Sequence, residues 1–136
     1  MYMSCKSAIY AINRVATAVA IDGIIPLNET IRRFGQNIML SGSSIQVQGR
    51  GYYEVSVSVS ALVAAAGDVT VSLLADGALV PGATATATAG AAADIVNVSF
   101  PAMIRNRCDC DTVNLTLQLS DSAVTTQNVA VIVEKV

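Results

Sequence analysis

Histidine and tryptophan are both absent from this 136-residue chain. Without histidine there is no Ser-His-Asp or Cys-His arrangement and no imidazole metal ligand, which removes much of the usual catalytic menu. Charge is scarce as well: 13% of residues are charged, where ordinary soluble domains carry about 25%. The basic residues are scattered, with Arg32-Arg33 the only adjacent pair, and the net charge is −2. That is not the electrostatic footprint of a nucleic-acid binder. No apolar run approaches the ~20 residues of a membrane span. The opening MYMSCKSAIYAINRVATAVA is apolar, but Arg14 interrupts it and a positive leader region is missing, so it reads as part of the fold and not as a signal peptide.

What is present is apolar and small. The chain is 53% hydrophobic but only 4% aromatic. A single domain so poor in charge has too little polar material to cover itself, which points to a second, intermolecular core, since obligate interfaces resemble a core cut in half.

The clearest segment is GYYEVSVSVSA. Tyr53, Val55, Val57, Val59 and Ala61 alternate with Glu54, Ser56, Ser58 and Ser60, the period of a half-buried strand. Gly67-Asp68 opens another strand, and Asp76-Gly77 is a strong hairpin signal. Pro81-Gly82 suits the centre of a type II turn, and ATATATA follows. Val96, Val98 and Phe100 share a face before Pro101; Val113, Leu115, Leu117 and Leu119 share another. The final NVAVIVEKV is apolar on both faces until Glu134, which predicts a strand buried on both sides. Residues 16–21, 24–27, 30–34, 37–40 and 44–47 are shorter strand candidates. Residues 61–66 allow one helical turn, and residues 8–20 are ambiguous. About eight to ten short antiparallel strands at this spacing predict an all-β jelly-roll sandwich. Residues 1–20 form an N-terminal strand or anchor segment, and residues 21–136 the jelly-roll domain.

The strand GYYEVSVSVS, the hairpin DVTVSLLADGALVPGA, the late strand TVNLTLQL and the apolar last strand together resemble the tumour-necrosis-factor and complement-globular-head superfamily. Over roughly residues 20–136, the runs RFGQNI and LSG, GYY, DG with VPGA, the cysteine-rich turn and a final VEK are similar to small structural proteins of Firmicutes phages and prophages from gut communities. The resemblance implies a homotrimer whose axis is lined by side chains of the sheet holding both chain ends. By position, Tyr53, Leu117 and Val133 are the candidates for that axis or for the inner core. A Gly-X-Y stalk, which collagen-tipped members carry, is missing.

Arg105-Asn106-Arg107-Cys108-Asp109-Cys110-Asp111 is the one chemically dense stretch. In an extended segment Cys108 and Cys110 point the same way, an awkward geometry for a mutual disulfide. Cys5 completes an odd set of three thiols, and a bond from Cys5 to Cys108 or Cys110 is one alternative to reduced, buried cysteines. A zinc site would need Cys5, Cys108, Cys110 and an Asp at a poor chelate spacing; a calcium site would need Asp109, Asp111 and Asp121, whose spacing matches no loop motif. Arg32, Arg33, Arg105 and Arg107 are candidate docking charges for an acidic neighbour such as a capsid shell. No catalytic, cofactor or metal residues emerge. The expectation is a non-enzymatic virion protein: a trimeric capsid decoration, head-fibre or tail-associated component that binds itself and other virion proteins, without nucleic-acid or membrane partners. The alternative is a carbohydrate- or receptor-binding jelly roll on a phage fibre or on a bacterial cell or spore surface.

Overall fold

The computed structural model describes residues 6–108 and 110–136. Eleven strands run in order: β1 (Ala8–Asn13), β2 (Thr17–Val19), β3 (Glu29–Phe34), β4 (Ile38–Ser41), β5 (Ser44–Gln48), β6 (Gly51–Val63), β7 (Gly67–Ala75), β8 (Ala78–Ala89), β9 (Ile95–Asn106), β10 (Thr112–Ser120) and β11 (Val124–Lys135). They form two antiparallel sheets. One has the order β3-β1-β11-β6-β9, with β2 also on β11, and the other β4-β5-β10-β7-β8. The crossing order, in which the last strand lies at the centre of the first sheet, is that of a jelly-roll sandwich.

Alternation decides what the sandwich encloses. Tyr53, Val55, Val57 and Val59 of β6 join Ile9 and Ala11 of β1, Val129, Val131 and Val133 of β11, and Val98 and Phe100 of β9. Against them pack Val69, Val71 and Leu73 of β7 and Leu115, Leu117 and Leu119 of β10. Tyr53 is fully buried, and its hydroxyl donates toward the carbonyls of Gln48 (2.8 Å) and Gly49 (2.7 Å). A buried phenol keeps its partners in this way, so the ring is accommodated without an orphaned polar atom.

Asp76-Gly77 makes the expected tight hairpin, with φ of 51° and 84°, the positive values that a type I′ turn needs at both positions. Four local expectations are revised. Pro81-Gly82 does not end a strand: β8 runs through it, and Val80 to Ala83 bulge opposite Leu73 between the pairs Ser72–Thr84 and Leu74–Leu79. Gly82 keeps the φ of +80° that a type II turn requires, but the bend is absorbed within the strand. Pro101 likewise sits within β9, which is tolerated because β9 is an edge strand and needs no ladder N–H on its outer side.

Residues 24–27 form no strand. Asp22, Gly23 and Ile25 bond the backbone of β10 at Leu117 and Leu119, beyond the end of β5, and the buried Ile25 and Leu27 close the sandwich there. The helical turn considered at 61–66 is the end of β6 and the bend into β7, and the ambiguous residues 8–20 supply β1 and β2, both paired with β11.

Candidate assembly face

The outward side of the sheet that holds the first and last strands groups several exposed large apolar side chains. Strand β11 is not buried on both faces as its composition suggested. Val129, Val131 and Val133 point inward, while Ala130 is half-buried and Ile132 is 44% exposed. Register sets out rows across this outer surface. One row runs Pro101, Ser56, Ile132, Tyr10, Arg32; the next runs Met103, Glu54, Glu134, Ala8, Phe34. Tyr52 stands one row further, opposite Arg105, whose guanidinium lies 5.5 Å from the ring centroid. Tyr10, Phe34, Tyr52, Met103 and Ile132 are all exposed, although each is large and apolar. Two shallow hollows open among them, one of about 370 Å³ over Ser56, Pro101 and Met103, the other of about 170 Å³ over Tyr10, Arg32, Phe34 and Ile132.

The charge on this face is ordered. Glu54 and Glu134 oppose each other across β6 and β11 in its centre. Like charges directly opposite on one face disfavour the pairing. The flanks are basic: Arg32 on β3 at one edge, Arg105 on β9 at the other. Four strand spacings, about 19 Å, separate those edges.

Tyr53, Leu117 and Val133 lie in the core of a single chain, at 0%, 1% and 0% exposure, and Leu117 belongs to the opposite sheet. Their neighbours Tyr52 and Ile132 take the outward positions, because a one-residue step in a strand reverses the side chain. The outward apolar set was readable only in part. Ile132 was signalled by the two-faced apolar run of β11, whereas Tyr10 lay in a segment whose periodicity was ambiguous.

The four arginines are exposed but not gathered: Arg32 and Arg33 sit on one edge strand, Arg105 and Arg107 at the end of the other edge. Arg33 Nε donates to the Ile38 carbonyl at 2.5 Å, tying β3 to the start of β4. Asp111 and Asp121 fall at opposite ends of β10, and Asp121 accepts a hydrogen bond from Thr70 at 2.6 Å, so they share no cation site.

Cys108 and Cys110 are joined by a disulfide, the pairing that an extended backbone disfavours. The backbone is not extended here. β9 stops at Asn106, the chain bends so that Asp111 N–H reaches Cys108 O at 3.3 Å, and the two Cα atoms come within 5.2 Å. A carboxylate oxygen of Asp111 lies within 4.8 Å of both sulfurs, but sulfurs bonded to each other are not thiolate ligands. Cys5 and Asp109 lie outside the described residues.

No protein-family model and no curated protein sequence matches this chain. Solved structures do. Murine APRIL, in a crystal structure at pH 5.0, is similar over 96% of this chain and 99% of its own, with a TM-score of 0.74 and 9% identity. The globular domain of zebrafish complement 1qA protein is similar over 93% and 94%, with a TM-score of 0.65 and 9% identity. PRD1 vertex protein P5 is similar over 98% of each chain, with a TM-score of 0.58 and 12% identity. At these identities the likeness establishes the fold, a jelly roll of the tumour-necrosis-factor and complement-head kind.

Proposed function

We propose that this protein is a non-catalytic structural component of a phage virion, a homotrimer that decorates the capsid or forms part of a head fibre or tail. The observation that carries the reading is the exposed apolar face around Tyr10 and Ile132. Five large apolar side chains exposed together on one sheet face, flanked by charged residues, are the kind of patch that marks an interaction surface. An obligate interface of about 1,500 Å² per subunit contributes tens of kcal/mol of gross hydrophobic free energy before the entropic costs of association.

Charge favours a second copy as the occupant. A neighbour that lays a basic edge, Arg32 or Arg105, over the central Glu54–Glu134 pair relieves the like-charge opposition within the sheet. Neighbours in fold of the tumour-necrosis-factor and complement-head type are trimers, and a closed ring of three needs one heterologous contact repeated around an axis. The placement on a virion is supported by the likeness to the vertex protein of phage PRD1 and by the sequence resemblance to phage structural proteins. Arg107, outside the central rows, remains for docking onto the capsid shell, and Arg33, bonded to the Ile38 carbonyl through Nε, offers the rest of its guanidinium.

The test is recovery of the chain from density-banded particles released by cells that encode it. Stoichiometric presence, in multiples of three, is the expected result. A chain found only free in the lysate, or only on the cell surface, overturns the virion reading and leaves the carbohydrate- or receptor-binding module in its place.

A further inference from the structure

The turn after β9 carries a chemical asymmetry that assembly does not use. Cys110 is exposed and Cys108 half-buried. The backbone N–H of Cys110 donates to the sulfur of Cys108 at 3.2 Å, and no hydrogen bond to the sulfur of Cys110 is formed among the described residues. The bend is held from beneath by Asn106, itself 2% exposed. Its side-chain amide donates to the carbonyls of Asp111 (3.0 Å) and Val47 (3.4 Å), and its oxygen accepts the Cys108 N–H at 3.2 Å. The Cys108 end of the small ring, and Asp111 just beyond it, are thereby tied to the sandwich.

We infer that the Cys108–Cys110 disulfide is a thiol-exchange site with a fixed direction, in which an incoming small thiol bonds to Cys110 and Cys108 leaves. Exchange proceeds by thiolate attack on one disulfide sulfur, and access and leaving-group stability decide which. The attacking thiolate forms a bond to Cys110 Sγ, the Cys108–Cys110 bond breaks, and its electron pair goes to Cys108 Sγ. The N–H already directed at that sulfur stabilises the departing thiolate, which then takes a proton from water. No electrons are gained or lost overall: one disulfide is exchanged for another. Because Asn106 keeps Cys108 in place, its thiolate can attack Cys110 again and expel the bound thiol, so the attachment is reversible. The Asp111 carboxylate lies within 4.8 Å of both sulfurs and the exposed Arg107 stands next to Cys108 in the chain, so the charge around the bridge is mixed. The ligand class is a low-molecular-weight thiol, for which access to Cys110 and not charge decides entry.

Cysteamine is the probe. The protein carrying Cys5→Ser, and the unmodified chain beside it, are exposed to cysteamine, quenched with acid and N-ethylmaleimide, and mapped by peptide mass. The expected result is cysteamine on Cys110 and maleimide on Cys108, at least fivefold over the reverse arrangement, with the preference lost in concentrated guanidinium. Equal labelling, adducts on Cys108, or no reaction in the folded protein would overturn the inference. So would a Cys110 preference that survives unfolding, because the fold would then not set the direction. Circular dichroism of the Cys108→Ser/Cys110→Ser variant is expected to show an intact sandwich; collapse of the fold would mean that the bridge is a structural staple and not an exchange site.

Discussion

Tyr10 and Ile132 stand directly opposite each other on β1 and β11, both on the outer side of the sheet, at 37% and 44% exposure. Their immediate neighbours Ile9 and Val133 form the next pair in the same register and are buried at 1% and 0%. Two adjacent apolar pairs on the same two strands therefore serve different ends. One closes the core of the chain, and the other stands on its outer surface beside Phe34.

This contrast separates two aspartate substitutions. Val133→Asp places a carboxylate in a packed interior and is expected to remove several kcal/mol of stability or prevent folding. Ile132→Asp leaves the core untouched and is expected to give a folded protein of lower molar mass. Circular dichroism melts together with light scattering check both outcomes. An Ile132→Asp chain that assembles like the wild type would remove that residue from the interface.

Glu54 opposite Glu134 makes a second prediction. In the Ile132→Asp background, where no neighbour covers the face, Glu54→Gln is expected to raise stability by about 0.5 kcal/mol and the melting temperature by a few degrees. In the wild-type background the same change is expected to weaken association, because it removes an acceptor for a neighbour's arginine. Urea melts and dilution-dependent mass measurements read the two effects separately.

Gly35 shows how the segment before β1 is held. Its φ is +78°, and a Cβ there would come to 2.1 Å from Ser7 Oγ, 2.5 Å from Lys6 O and 2.8 Å from Ser7 Cα. Gly35→Ala is expected to cost about 2–4 kcal/mol, from backbone strain and collision together. Gly77→Ala, at φ +84° with nothing within 4 Å, is expected to cost only about 1–2 kcal/mol. Chemical denaturation of the two variants gives the difference directly.

Asn106→Ala is expected to cost about 1–3 kcal/mol, since it leaves the Val47 carbonyl of β5 and the Asp111 carbonyl of the turn without their donor. It is also expected to free the turn that holds Cys108 and Cys110, so that amides of residues 107–111 exchange with solvent faster than in the wild type. Unchanged exchange there would mean that the disulfide alone shapes the turn.

The sandwich was largely legible in the sequence because its signals are local. Tyr53 to Ala61 alternate without interruption, and Asp76-Gly77 has the turn chemistry that its backbone demands. What stayed hidden depends on neighbours in space. Pro101 reads as a break until β9 is known to be an edge strand, and Pro81-Gly82 reads as a turn until β8 is seen to continue beyond it as a bulge. Period-two alternation identifies which residues share a side, but not which side meets solvent, so Tyr53 and Val133 could stand for either core or axis. The Cys108–Cys110 bond was disfavoured because the bend that permits it is held by Asn106, whose bonds reach back to Val47 on another sheet.

The central claim is that the exposed face around Ile132 is covered by copies of the same chain. Light scattering across a sizing column, with and without reductant, measures that most directly. Three copies of the 14.0 kDa chain, unchanged by reductant, is the result the account predicts. A stable monomer at micromolar concentration would contradict it.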